Sequence, residues 1–564
     1  MPEDGQPGLG NGGTEAVSAT RVGPAGWPSD PELSGPAPSE RALSGPAPSE
    51  PAPSEPAPSG SGTATARPAG ARDRVPWLIA GAVFAVYTAI SLFRYFQLNP
   101  SSWDLGIFTE LVKQYAHLHA PVADIRGAGV NLLGDHFSPI VALIAPFFLI
   151  VPSPGTLLVA QALLTAVSVL PVTWAAAHLL GRKTGWAVGA AYGFSWGLQQ
   201  MANFDFHEIA FAVPLLAFSL SALVRGRARA AAAWALPLVL VKEDQGFTVA
   251  AIGLVMIVVS QWRENSDRTA VLGGQVLIVW GIVWPVLAIG VIIPHFNAAH
   301  HYQYWSDGGS LGPGGHISAG AALHQLFTSW PTKLQTTLML FLPTAFIALR
   351  SPLALVAVPS IALRFLGTNS NYWGTDWHYN ATVMPILFIA AVDAIARIRA
   401  ARALRSAPRA PGHGDSGDVT PGGWRAWWRG PLAELIDRHG AAAMAAIALA
   451  LIFQFPVSGL WNPQTYRIGQ HVANADAAMA KVPDGATVTT TLDLLALLAA
   501  RTDTYWIGNA GNPDTAYVVF DGTNSGYSPE PSDIPGFVAS QHPHATYHLI
   551  YTAGGIYVFQ RDGA

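Results

Sequence analysis

The sequence contains no cysteine. Disulfides and thiolate metal centres are therefore excluded, and any metal bound here must take histidine and carboxylate ligands. Charge is scarce as well. Only 12% of the residues are Asp, Glu, Lys or Arg, against about 25% in soluble domains. The net charge of -4 is small and gives no basic footprint, so nucleic acid is excluded as a partner. What stands in place of charge is apolar. Half of the residues are hydrophobic, and they recur in runs of roughly 15–25, long enough to cross the hydrocarbon core of a bilayer. The expected fold class is an all-α polytopic membrane bundle, with membrane lipids as its surroundings.

Residues 1–74 are rich in Pro, Gly, Ser, Ala and Glu, with near-repeats of Pro-Ala-Pro-Ser-Glu between Pro36 and Pro58. Such a composition cannot bury a core and is expected to be a disordered tail. No apolar run follows a basic start near Met1, so no signal peptide is expected. Spans are drawn at 76–96, 155–180, 184–198, 209–224, 230–241, 247–260, 271–294, 333–349, 353–365, 381–395 and 441–455, about eleven in all. The run 140–151 is short and punctuated by Pro139, Pro146, Pro152 and Pro154, which suits a re-entrant or interfacial helix.

Arg67, Arg72 and Arg74 precede the first span, which places the N-terminus in the cytoplasm by the positive-inside rule. With 140–151 not crossing, every second connection is then basic. The series runs Arg182-Lys183; Arg225, Arg227 and Arg229; Arg263 and Arg268; Arg350; and Arg397 to Arg409. Trp424, Trp427 and Trp428 beside Arg425 and Arg429 suit an interfacial helix on that same face.

The opposite, extracytoplasmic connections collect the reactive side chains. The first, 97–139, holds Trp103-Asp104-Leu105-Gly106-Ile107-Phe108-Thr109-Glu110 and Gly134-Asp135-His136-Phe137-Ser138-Pro139. Asp104 opens an amphipathic helix, either as its cap or as a general base or metal ligand. Asp135 and His136 belong to a turn, or face a phosphate or a divalent cation. The next connection brings Asp205, His207 and Glu208; the one after it brings Lys242, Glu243 and Asp244. Lys242 is suited to a phosphate oxygen, with Glu243 and Asp244 pairing with it or with a neighbour; an internal salt-bridge cluster is the other reading. The 295–331 connection carries His295, His300, His301, His316 and His324 around a glycine-rich stretch. It reads as a gating loop, a metal site or a plain solvated loop. Asp376 and His378 lie among Tyr372, Trp373, Trp377 and Tyr379, a set suited to sugar stacking or to an interfacial aromatic belt. Arg94 and Arg364 sit at span ends, either clamping a lipid phosphate or snorkelling.

From residue 456 the chain is less apolar. A helix is expected at 468–481 and another at 492–501, with strands at 487–491, 504–507, 517–521, 548–551 and 555–560. Gly554-Gly555 reads as a hairpin turn. The expected organisation is a cytoplasmic tail (1–74), a transmembrane domain (75–455) and a small extracytoplasmic α/β domain (456–564).

Four segments together resemble a bacterial family of predicted membrane proteins of unknown function that is similar to the GT-C glycosyltransferases. They are Trp-Asp-Leu-Gly-Ile-Phe-Thr-Glu, Leu-Leu-Gly-Asp-His-Phe-Ser-Pro-Ile, Asp-Phe-His-Glu-Ile-Ala and Val-Lys-Glu-Asp-Gln-Gly. The resemblance covers roughly residues 76–455. It implies a GT-C-like bundle that transfers a sugar from a polyprenyl-phosphate donor to an acceptor at the outer face, in some members with a divalent cation such as Mg2+ or Mn2+. Asp104 would match the first-loop carboxylate. Asp135 and His136 would complete the catalytic set, and Asp104, Asp135 and His207 would hold the cation. From the residues themselves rather than from a family motif, Asp205, His207, Glu208, Lys242, Glu243, Asp244, Arg364, Asp376 and His378 are expected to bind substrate or its phosphate. The alternative is a transporter or flippase of a lipid-linked or polar solute, with the Lys-Glu-Asp run as its coupling site.

Overall fold

The structure is a computed structural model that describes residues 73–261, 267–302, 319–406, 430–526 and 530–564. The expected tail up to residue 72, the glycine-rich stretch with His316, and Trp424 to Arg429 lie outside the described residues. Among the described residues, five helices are long and apolar enough to cross a membrane: Val75–Phe96, Pro154–Leu180, Arg268–Phe296, His378–Leu404 and Pro431–Ile452. The chain is a multi-pass membrane protein. Five further apolar helical stretches are shorter: Pro139–Ile150, Glu208–Val224, Ala228–Leu240, Gln245–Gln261 and Pro352–Leu366. The described helices thus supply five full-length crossings where eleven spans were drawn, and most of the others are broken.

The breaks have local causes. The segment drawn at 333–349 ends as a regular helix at Phe341, where Pro343 follows and Ala345 and Phe346 both take left-handed backbone (φ 48° and 59°). The segment drawn at 184–198 divides into Arg182–Gly193 and Trp196–Ala202. Two of the full-length helices carry clear start signals. Ser153 accepts from the Gly155 N–H at 3.2 Å ahead of Pro154, and Asp267 accepts from Thr269 N–H at 2.9 Å. Both are N-caps that satisfy orphan donors of the first turn. Gln245–Gln261 and Arg268–Leu287 form an antiparallel pair that meets glycine on glycine, Gly246 against Gly281 and Gly253 against Gly274. Small residues let helix backbones approach closely where burial in lipid offers no hydrophobic gain.

Of the five long helices, His378–Leu404 is the most deeply buried. Pro139–Ile150 lies with Leu143, Phe147, Leu149 and Ile150 exposed. That pattern fits the interfacial segment expected there.

After the last long helix comes a five-stranded mixed sheet in the order β2-β1-β3-β5-β4. Its strands are β1 Thr487–Thr490, β2 Asp503–Trp506, β3 Tyr517–Asp521, β4 Tyr547–Ala553 and β5 Ile556–Arg561. β1 runs parallel to β2 and to β3, while β5 is antiparallel to both β3 and β4. Gly554 and Gly555 turn the β4–β5 hairpin with φ of 58° and 86°, a pair of positive values that matches the twist of the strands. All five strands fall where they were expected. The helix Ile534–Gln541 was not expected, although Asp533 caps it and Pro535 occupies its first turn.

The sheet packs on the first loop. Lys113 Nζ donates to Thr502 O at 2.7 Å, Asn509 Nδ2 donates to Ile125 O at 2.8 Å, and Trp103 meets Trp506 edge-on. Gln97, at the end of the first long helix, donates to the carbonyls of Gln464, Thr465 and Arg467. At the start of that helix, Asp73 pairs with Arg182, while Arg399 donates to Leu180 O and pairs with Asp437. The first loop and the sheet therefore share one end of the bundle. The basic connections around 182 and 399 share the other, about 33 Å away along a 22-residue helix.

Candidate functional site

The first loop is built on Asp205. Its carboxylate accepts from the backbone N–H groups of Ser101 (3.0 Å) and Ser102 (2.8 Å), directly ahead of the helix Asp104–Ala116. Burial pushes Asp205 up to about 6, the Ser101 and Ser102 N–H groups and Arg94 pulling the other way. Arg94 is spent on the same junction, donating to Asn203 O, Asn99 O and Ser101 Oγ. It is neither a free lipid clamp nor a snorkelling cation. Asp104 stands in the first turn without capping it, and its carboxylate has no hydrogen bond or ion pair among the described residues. Its backbone N–H donates to Ser102 Oγ at 3.0 Å.

The segment from Asn131 to Pro139 is held against the end of the Arg268–Phe296 helix. Asn297 Nδ2 donates to Gly134 O at 2.8 Å, and a Cβ on Gly134 would lie 2.5 Å from the Phe296 carbonyl. Only glycine permits that approach. Asp135 pairs with Arg126 at 3.2 Å, and Arg126 also lies over the Trp103 ring. His136 Nδ1 lies 3.1 Å from Glu243 Oε1, Phe137 N–H donates to Glu243 Oε2 at 3.1 Å, and Tyr302 Oη donates to Glu243 at 2.8 Å. Burial alone would raise Glu243, but His136 and Lys242 bring it down to about 2. Burial and Lys242 push His136 down, yet Glu243 and Asp135 leave it raised.

Lys242 does not pair within its own run. Its Nζ is 3.4 Å from Glu208, a fully buried carboxylate that also lies 2.5 Å from His207 Nδ1. His207 stacks on His378 with ring centroids 3.9 Å apart, and both His378 nitrogens lack a hydrogen-bond partner among the described residues. Asp244 accepts from Gln245 Nε2 at 3.1 Å. Arg364 is buried and directs its fork at the carbonyls of Tyr372, Tyr379 and Gly374 and at Asn380 Oδ1. It organises the loop after it as much as it faces open space.

Two cavities result. One of about 290 Å³ is lined by His136, Lys242, Glu243, Asp244, Arg364 and Tyr379, with Tyr302, Tyr372 and apolar walls. The other, of about 100 Å³, is lined by Asp104, Arg126, Asp135, His136, Ser138 and His207, with Trp103 and Phe108. His136 borders both. The structure thus brings Asp104, Asp135, His136 and His207 round one space and Lys242 to Asp244 with Arg364 round its neighbour. Glu208 and His378 lie buried behind these walls, and Asp205 is turned to the loop junction. Asp376 is exposed and lines neither cavity. His295, His300, His301 and His324 are exposed and line neither. Tyr302 and Arg126 were not singled out from the sequence. Their signal was weak: a tyrosine after two histidines and a lone arginine in a loop.

Among the described residues, one group has three ligand atoms within 4.8 Å of one another as a metal ion would require: His471, Asp493 and Asp521. Asp104, Asp135 and His207 share a cavity without closing into such a group.

The profile of a family described as "Predicted membrane protein (DUF2079)" matches residues 94–524. No curated protein matches the chain. Among solved structures, ArnT from Cupriavidus metallidurans bound to undecaprenyl phosphate aligns with a TM-score of 0.49 at 14% identity, covering 87% of this chain and 98% of that one. Its apo state gives 0.45 at 13%, covering 86% and 97%. An apo oligosaccharyltransferase from Archaeoglobus fulgidus gives 0.36 at 12%, covering 87% and 75%.

Proposed function

The chain belongs to the DUF2079 family of predicted membrane proteins, and from that footing we propose that it is a membrane glycosyltransferase that takes a sugar from a polyprenyl-phosphate donor. One observation carries the reading: two adjoining cavities share His136, one lined by Lys242 and Arg364 with tyrosines, Glu243 and Asp244, the other by Asp135 and by Asp104, which has no partner among the described residues. Ionisable groups buried within an apolar bundle are expensive, and a working site is the default account of them. Lys242 and, with its remaining donor, Arg364 suit the donor phosphate; Tyr302, Tyr372 and Tyr379 suit the sugar. Asp104 suits the acceptor hydroxyl, since a base must lie within hydrogen-bond reach of the proton it takes.

In the proposed step the acceptor oxygen attacks the anomeric carbon while its proton passes to Asp104. The bond from that carbon to the phosphate oxygen breaks, and polyprenyl phosphate leaves against Lys242. Displacement in one step inverts the sugar carbon. His136, held by Glu243, sets the wall between the two halves. Asp135 and His207 line the acceptor side with Asp104, and Glu208 holds His207 and Lys242 from behind. The proposed orientation, with the N-terminus cytoplasmic and the sheet outside, is supported by the basic residues gathered at the far end of the bundle.

The test is mass spectrometry of polyprenyl-linked sugars and envelope glycans in a deletion strain. Wild-type complementation should restore one missing sugar, while Asp104→Asn and Lys242→Met should not. Glycan and lipid-linked profiles unchanged by deletion would remove the reading. The buried Lys242–Glu208–His207 row favours transport as the second reading. Proton-dependent solute flux in donor-free vesicles would select it.

A further inference from the structure

The C-terminal sheet carries a second concentration of ionisable groups, remote in sequence from the membrane cavities. Asp493 lies three residues beyond β1, and Asp521 is the last residue of β3. Both strands are parallel neighbours, so the two carboxylates meet at their carboxyl ends. β2 pairs on the other side of β1, and the chain therefore leaves β1 in one direction and returns for β3 in the other. A reversal of that kind opens the crevice in which open α/β sheets bind ligands. His471, from the helix Gln470–Met479, closes it from above.

The carboxylates are oriented with care. Asp493 Oδ1 accepts from Thr491 Oγ1 at 3.0 Å, and Asp521 Oδ1 accepts from Thr523 N–H at 2.8 Å and Thr523 Oγ1 at 2.6 Å. Thr491 Oγ1 in turn accepts from Asp521 N–H at 3.2 Å. This leaves both Oδ2 atoms buried and facing the imidazole, with His471 Nε2 2.7 Å from Asp521 and 3.9 Å from Asp493. Asp493 is 3% exposed and Asp521 fully buried. Two facing carboxylates in such a place require a shared proton or a cation between them. Ligand atoms around one ion at about 2.0–2.2 Å stand roughly 3–3.5 Å apart, a range that the two His471 distances of 2.7 and 3.9 Å bracket. The threonine bonds to the outer oxygens are the supporting contacts that ligating carboxylates normally have.

We propose that His471, Asp493 and Asp521 bind one divalent first-row metal ion, Zn2+ or Mn2+, and that the ion ties the helix after the last span to the sheet. One imidazole with two carboxylates selects against Mg2+ and Ca2+, which prefer all-oxygen ligands. The partly exposed His471 edge leaves the ion open to water or to an anionic ligand. The site stands independently of the sugar-transfer reading.

The test uses the full chain in detergent, stripped with EDTA and dialysed against Zn2+ or Mn2+, with metal content measured by plasma mass spectrometry. One ion per chain is expected in the wild type and none in Asp493→Asn/Asp521→Asn. His471→Ala should weaken binding at least tenfold. The wild type should melt several degrees higher with metal than without, and the double variant should not respond. Metal content equal in the wild type and the double variant would overturn the proposal. So would a wild-type melt indifferent to metal while the double variant melts higher, the mark of a shared proton. Should the double variant fail to fold, His471→Ala decides alone: undiminished affinity there also overturns it.

Discussion

Replacing Gly134 by alanine tests the packing that holds the candidate site together. The added Cβ would stand 2.5 Å from both the carbonyl carbon and oxygen of Phe296 and 2.6 Å from Asn297 N, where ordinary contact begins at 3.4 Å. All three neighbours are backbone atoms, so no rotamer change relieves the clash. The two segments must separate by about 0.9 Å, the difference between 3.4 and 2.5 Å. Overpacking of this kind costs about 1–3 kcal/mol. The Asn297 Nδ2–Gly134 O bond, 2.8 Å long, stretches with it, at a further cost of about 1 kcal/mol. The expected total is about 2–4 kcal/mol. His136 is two residues on, and the same displacement would carry its 3.1 Å contact with Glu243 beyond hydrogen-bond reach. Thermal unfolding in detergent, followed by tryptophan fluorescence, reads the stability. Gly290→Ala in the same long helix meets nothing within 4 Å and is the matched control. A Gly134→Ala protein that melts with the Gly290→Ala protein would refute the argument that this approach is rigid.

Glu110 is buried in the first-loop helix, where its Oε2 accepts from Ile125 N–H at 3.1 Å. Burial, the largest influence, raises it from 4.5 to about 8. The folded chain therefore holds this proton more tightly than the unfolded chain. The associated stability is complete below pH 4.5 and is lost as pH rises through about 8. Between roughly pH 7 and 9 the loss is ~1.4 kcal/mol, and Glu110→Gln, which keeps an acceptor for Ile125, should flatten that slope in pH-dependent melts. Glu208→Gln and Lys242→Met should each destabilise by about 3–5 kcal/mol, because each leaves a buried partner unmatched. The double variant should lose less than their sum in denaturant titrations, and strict additivity would argue against the pairing. Arg364→Lys should loosen the following loop, since an ammonium cannot reproduce a fork shared among four acceptors. Faster amide exchange across residues 367–380 is the expected reading.

How much of this was legible in the chain depends on the range of the interaction. Long crossings such as Val75–Phe96 and Pro154–Leu180 follow from hydropathy alone, and each appears within a residue or so of its expected start. The strands follow from β-branched runs such as Thr487–Thr490 closed by turn residues. The broken helices were not legible, because Ala345 and Phe346 adopt left-handed backbone for tertiary reasons that no local propensity announces. In the candidate site, Asp104, Asp135, His136 and His207 border one space; from the chain alone they were expected at one face of the bundle, on two successive connections. Pairings were not. Lys242 reaches Glu208, and Glu243 reaches His136, each partner supplied by a distant segment. The His471, Asp493 and Asp521 group escaped notice because no fixed spacing joins its members. Its one signal was an aspartate at or just beyond the end of each of two strands.

The bonds from Lys113 to Thr502 and from Asn509 to Ile125 join residues 389 and 384 positions apart. At ordinary rates of synthesis the first loop emerges roughly 20–80 s before the strand that completes it. During that interval Trp103 and the arm bearing Asp104 have no finished seat, even with the neighbouring helices already inserted. A chain cut short after its last crossing would carry the same defect permanently, so damage at the carboxyl end registers near the amino end.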